Sequence, residues 1–208
     1  MKIAVIANEM LKEELLAQGM ANDGQVAWLD EIPSVPAADC YIDLLFKGEQ
    51  QRIDKLNKLQ PALVMVNAVI NTLDKIPGIL IRFNGWPTFL KRALLEASCN
   101  NEAIKTRAEK FLAVFNKKIE WVPDIPGFIS ARVISMIINE AYFTLDEKVS
   151  SKPEIDTAMK LGTNYPYGPF EWGEKIGLQH VNELLTTLAQ TNSRYQSSAL
   201  LKKEALPS

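Results

Sequence analysis

The sequence predicts an α/β domain, a mainly parallel sheet with helices on both faces, followed by an all-helical domain. Three observations predict it. Over residues 1–122 short apolar runs alternate with amphipathic charged stretches. Several of those runs are continuous and β-branched, the pattern of parallel strands covered on both sides. Beyond Pro123-Asp124-Ile125-Pro126-Gly127, where two prolines and a glycine break any periodic element, nothing alternates like a strand. The boundary is therefore set between residues 1–122 and 123–208.

Taken in order, residues 2–7 form a buried strand. Residues 8–18 form a helix with Leu11, Leu15 and Met20 on one side and Lys12, Glu13 and Glu14 on the other, ended by Gly19. Residues 26–29 and 40–46 are strands separated by a loop holding Pro33 and Pro36. Residues 49–59 are a helix with Ile53, Leu56 and Leu59 inward, and 62–66, 79–83 and 94–98 are further strands. A helix over 102–116 carries Ile104, Ala108, Phe111, Leu112 and Phe115, and 119–122 closes the sheet. In the second domain 128–148 is one long helix with Ile129, Val133, Met136, Ile137, Ala141 and Leu145 along one side. Ser151-Lys152-Pro153-Glu154 caps a helix running through Lys160. Residues 163–169 are a turn-rich loop, 170–176, 181–189 and 195–204 are helices, and 206–208 is a frayed end.

With 208 residues, 47% hydrophobic and 23% charged, the chain buries a real core. Lys plus Arg at 23 against Asp plus Glu at 25 leaves a net charge of −2, which offers no electrostatic pull on nucleic acid or anionic lipid. Cys40 and Cys99 share no metal-ligand spacing and read as reduced core thiols. The apolar run from Ile3 to Ala7 is too short for an export signal or a membrane span, so the expected compartment is the cytoplasm.

A strand that turns into a helix at the start of a chain invites a test for dinucleotide binding, since a pyrophosphate needs glycines in that turn. Here the turn is Ala7-Asn8-Glu9-Met10-Leu11-Lys12, without glycine, and Glu9 sets a negative charge where a phosphate would sit. Asp30 does stand at the end of the second strand, where an acid can hold ribose hydroxyls, although an Asp closing a strand is common in any α/β fold. His180, the single histidine, reads as an exposed residue at a helix entry rather than a base. Met65 and Met136 belong to the core and are not ligands. Glu96, inside an apolar run, either points out from an edge strand or is paired.

The second half carries ordered motifs. Asp124-Ile125-Pro126-Gly127-Phe128-Ile129-Ser130-Ala131-Arg132 is followed by Asn139-Glu140-Ala141 and by Ile155-Asp156-Thr157-Ala158-Met159-Lys160-Leu161-Gly162. Tyr165-Pro166-Tyr167-Gly168-Pro169-Phe170-Glu171 and Ile176-Gly177-Leu178 complete the series. The stretch resembles the C-terminal domain of the 3-hydroxyacyl-CoA dehydrogenase family. That resemblance implies an N-terminal NAD-binding Rossmann domain, here shortened, and a helical domain through which subunits pair as homodimers. It also implies oxidation of the 3-hydroxyl of a fatty acyl-CoA.

Carried over residue by residue, the resemblance loses its chemistry. The family's Glu falls on Glu96, in Leu94-Leu95-Glu96-Ala97, and the partner His twelve residues earlier falls on Asn84. Alignment on the proline instead brings Phe83 opposite the His, with Arg82 beside it. Neither placement supplies an imidazole, and Asn accepts no proton from a hydroxyl. The family's polar residue after the Pro-Gly-Phe motif falls on Ala131, its substrate-contacting Ser falls near Val69, and Asn67 survives as the Asn of that motif.

Three readings follow. The first is an active oxidoreductase of this family in fatty-acid metabolism, using NAD. The second, which the residues favour because base and cofactor cradle are both missing, is a non-catalytic homologue with no cofactor that binds an acyl-CoA, another small ligand or a protein. The third is a subunit that borrows active residues from another chain.

Overall fold

The computed structural model describes residues 1–21 and 24–206. Of the frayed end expected at 206–208, Pro207 and Ser208 lie outside the described residues. Two units divide after Phe128, Met1–Phe128 and Ile129–Ser208. Residues 123–128 fall in the first because Arg82 holds the Asp124 carboxylate and the Ile125 carbonyl.

The first unit runs β1 (Lys2–Ile6), α1 (Glu9–Leu16), β2 (Gln25–Leu29), β3 (Cys40–Asp43), α2 (Gln50–Asn57), β4 (Leu63–Asn67), β5 (Ile81–Phe83), β6 (Leu94–Cys99), α3 (Lys105–Ala113) and β7 (Lys118–Trp121). These strands make one seven-stranded sheet in the order β2-β1-β3-β4-β5-β6-β7. All neighbours are parallel except β5 and β6. Period-2 alternation sends successive side chains to opposite faces. Ile3, Val5, Ile42, Met65 and Phe83 therefore pack with Leu11 and Leu15 of α1 and Phe111 and Leu112 of α3. On the other face Ala4, Ile6, Tyr41, Val64 and Val66 pack with Ile53 and Leu56 of α2.

Several expectations are corrected here. Met20 is 39% exposed rather than on the inner side of α1, because Gly19 at φ 76° turns the chain away. The strand expected over 40–46 stops at Asp43, where a buried carboxylate turns back onto the Leu45 N–H. Residues 102–104 form a separate 3-10 turn rather than the start of α3.

The second unit comprises α4 (Ser130–Asp146), α5 (Lys152–Thr163), α6 (Pro169–Ile176), α7 (Leu178–Ala189) and α8 (Ala199–Glu204). Its motif residues fasten these helices. Asn139 of α4 donates to the Gln196 carbonyl at 3.0 Å and accepts the Ser198 N–H at 2.9 Å. Asp156 of α5 accepts the Phe170 and Glu171 N–H groups at 2.8 and 3.3 Å, so a side chain from α5 caps α6. Gly168 is required because a Cβ there would overlap the Asp156 carboxylate. Tyr165 and Tyr167 both meet Trp172 edge-on, with ring centroids 5.5 and 5.9 Å away. Tyr142 and Lys152 each donate to Glu204, at 2.7 and 2.6 Å, tying α8 to α4 and α5.

The inner face of α4 differs from expectation. Ala131, Ile134, Ile138, Ala141 and Tyr142 are buried, whereas Ile129 and Val133 are 57% and 51% exposed. Apolar residues nearly encircle this helix, and the side facing its neighbours is set by Asn139 and Tyr142, whose bonds reach α8 and the turn before it. The single helix expected over 195–204 is instead a 3-10 turn, Ser193–Tyr195, and α8, because the Ser198 hydroxyl accepts the Leu201 N–H at 3.1 Å and starts a new helix.

Candidate functional site

In a doubly wound sheet ligands bind outside the carboxyl ends of the strands where the winding reverses. Here β2 and β3 flank β1, so that place lies between β1 and β3. At the end of β1 the Asn8 side chain accepts the Leu11 N–H at 2.9 Å, capping α1 from within, and Glu9 pairs with Lys12 at 3.2 Å. The helix N-terminus is thus partly satisfied by its own cap and carries a carboxylate in its first turn. These residues do not fit a pyrophosphate.

At the end of β3 stands Asp43, fully buried, held by both arms of Arg52 at 2.7 Å and by the Leu45 N–H at 3.0 Å. Burial pushes the Asp43 carboxyl up and the Arg52 guanidinium pulls it down, while the Arg52 pKa is raised by its bond to Asp43. Arg52 also borders a polar cleft of about 300 Å3 shared with Glu31, Ile32, Glu49, Gln51 and Lys55. Asp30, just after β2, is exposed to solvent.

At the end of β4, Asn67 donates to the carbonyls of Leu44 and Gly85, at 3.3 and 3.2 Å, and accepts the Gly85 N–H at 2.9 Å. The approach leaves no space at residue 85 for a Cβ, which would come within 2.8 Å of the Asn67 side chain. The Asn67 amide is thus engaged in joining the ends of three strands.

Past β5, Asn84 is 1% exposed and its amide donates to Glu96 at 3.2 Å. Its own N–H donates to the Glu96 carbonyl at 2.9 Å, and its side-chain oxygen accepts the Trp86 N–H at 3.4 Å. The structure thus brings Asn84 and Glu96 together, whereas Phe83 is buried in the core and Arg82 is engaged elsewhere. Glu96 does not point out from an edge: β6 lies between β5 and β7. An amide nitrogen has no basic lone pair, so Asn84 can hold a polar group but cannot take the hydroxyl proton that an imidazole in its place would accept.

Ala131 and Val69 are buried. His180 is exposed in the first turn of α7. Cys40 is buried, which pushes its thiol pKa up, and Cys99 is half-buried; both are free. Among the described residues no group of three His, Cys, Asp or Glu side chains is placed to hold a metal, and no helix is long and apolar enough to cross a membrane.

Asp43, at the end of β3, is missing from the sequence-based expectations, and Arg82, in the middle of β5, enters them only as the neighbour of Phe83. Asp43 closes an apolar run, and Arg82 interrupts another, Ile79-Leu80-Ile81-Arg82-Phe83. A charge inside a buried strand pattern is the signal that marks both.

Residues 127–206 match the family profile of the 3-hydroxyacyl-CoA dehydrogenase C-terminal domain. The 3-hydroxyadipyl-CoA dehydrogenase of Escherichia coli K12 is 39% identical over 112 residues, 53% of this chain and 24% of that protein. The 3-hydroxybutyryl-CoA dehydrogenase of Clostridioides difficile is 39% identical over 132 residues, 62% of this chain and 47% of that protein. The chain thus spans less than half the length of these relatives. Across the fold, the crystal structure of (S)-3-hydroxybutyryl-CoA dehydrogenase from Ralstonia eutropha superposes with a TM-score of 0.75. It is 16% identical and covers 97% of this chain and 92% of that one.

Proposed function

Because the chain belongs to the 3-hydroxyacyl-CoA dehydrogenase family through residues 127–206, with a Rossmann-like sheet before them, we propose that it is a non-catalytic homologue of those dehydrogenases. The observation that carries this reading is the Asn84 amide on Glu96, at the place where the resemblance puts a basic imidazole. The turn after β1 supports it, since it has no glycine, the Asn8 side chain already takes the Leu11 N–H, and the Glu9 carboxylate brings a like charge to the helix start that a dinucleotide phosphate would approach. What remains is a ligand- or partner-binding role in the cytoplasm, with an acyl-CoA or a protein as ligand and a homodimer through the helical unit as the assembled form. An apolar groove of about 390 Å3 between α4 and α5, lined by Ile137, Ala141, Ile155, Ala158 and Met159, supports such a role.

The alternative, an NAD-dependent dehydrogenase in fatty-acid metabolism, is favoured by the retained Glu96 and by the names of the relatives. Two measurements separate the readings. Calorimetry with NADH is expected to show no saturable binding, and NADH oxidation with acetoacetyl-CoA no rate above a protein-free control. The Asn84→His variant is expected to remain inactive, because the base alone does not restore the phosphate cradle. Micromolar NADH binding with turnover by the unaltered chain would overturn the proposal.

A further inference from the structure

The connection from β2 to β3 carries no helix. Residues 30–39 run as a loop through Pro33 and Pro36, so part of one sheet face over β1 and β2 lacks cover. On that face Gln25 and Ala27 of β2 are exposed, and β1 sets Ala4 directly beside Ala27. Between this floor and the loop lies a cleft of about 270 Å3, walled by Leu29, Pro33, Ala38 and Tyr41. That size is near the low end of ligand sites, room for a ring and not for a nucleotide.

Two observations give the cleft a chemistry. Tyr41 is 1% exposed, and its phenol oxygen accepts the N–H groups of Ala37 and Ala38, at 2.7 and 3.2 Å. That fixes the ring and leaves the hydroxyl hydrogen to donate, and among the described residues none accepts it. Second, Lys2 is the one charged residue among those lining the cleft. The nearby Asp39 carboxylate is held by the Lys2 backbone N–H at 2.8 Å, and the Asp39 N–H donates to the Lys2 carbonyl at 2.9 Å. The segment that fixes the phenol is thereby joined to the strand start that carries Lys2, and Tyr41 and Lys2 both line the cleft, whose other described lining is apolar apart from Gln25.

We propose that this cleft binds a small, flat, apolar monocarboxylate. Its ring lies on Ala4 and Ala27 beneath Pro33, and its carboxylate is directed to the Tyr41 hydroxyl and Lys2. The inference is independent of whether the chain turns over a substrate.

Calorimetry on the full chain with benzoate, and with benzamide as its uncharged counterpart, tests it. Saturable binding of benzoate is expected, with affinity lowered about tenfold for benzamide and about tenfold by Tyr41→Phe, the loss of one charge-assisted hydrogen bond. Ala27→Trp fills the slot from an exposed strand position that favours aromatics, and is expected to abolish binding. Ala27→Met serves the same purpose if circular dichroism shows that the tryptophan variant does not fold. Absence of saturable benzoate binding, equal affinity for benzamide, or full binding by the folded filled variant would each overturn the assignment.

Discussion

Arg82 shows how much one side chain organises in the first unit. Its fully buried guanidinium pairs with Asp124, donates to the carbonyls of Ala68 and Ile125, both at 2.9 Å, and lies 4.1 Å from the Phe128 ring centroid. Removing one member of a buried ion pair leaves the others desolvated and unpaired. Arg82→Met is therefore expected to lower stability by about 3–5 kcal/mol, measured by urea unfolding of the whole chain. Lys117 plays a smaller part of the same kind, donating to the Leu90 and Arg92 carbonyls at 2.6 and 2.9 Å, and burial lowers its pKa to about 8. Lys117→Met leaves two carbonyls without that donor and is expected to cost about 1–3 kcal/mol in the same assay. The sequence shows a charge inside an apolar run at Arg82 but not its partners, which lie 13 to 43 residues away along the chain.

Among the elements, α5 has the clearest local cause. The Ser151 N–H and hydroxyl donate to Glu154 at 3.0 and 2.7 Å, and these bonds, with one from Ser150, lower the Glu154 pKa from 4.5 to about 2. The sign follows from linkage. A carboxylate depressed in the folded state adds stability above its ordinary pKa and loses it as pH falls from 4.5 toward 2. The melting-temperature gap between the unaltered chain and Glu154→Gln is expected to be constant near neutral pH and to close over that acid window, as thermal scans by circular dichroism would register. This cap is legible in the sequence because all its parts lie within four residues. The same holds for the strands, whose apolar runs are local. Strand order and the antiparallel setting of β6 are not legible, since alternation carries no direction. The burying side of α4 is not legible for a related reason: with apolar residues on nearly every side, only its bonds to residues 196–204 select the inner one.

At the scale of the whole molecule, the exposed row of α4, Ile129 and Val133 continuing to the half-buried Met136 and Ile137, is apolar surface of the kind that partners cover. Light scattering is expected to give the mass of two 23.3 kDa chains, and Val133→Glu to return it to one. A monomer at micromolar concentration in the unaltered protein would contradict this. Of the site, the juxtaposition of Asn84 with Glu96 follows from the family resemblance, while the Asp43–Arg52 pair is not legible, because no motif links a strand end to the first turn of the following helix. The aromatic cluster of the helical unit has an optical consequence. Of the chain's four tryptophans, Trp28, Trp86 and Trp121 belong to the first unit and Trp172 alone to the second, with two tyrosines against it. Excitation absorbed by Tyr165 and Tyr167 passes to that indole while the rings touch. With the other three replaced by phenylalanine, the loss of this transfer would signal melting of the helical unit separately from the sheet.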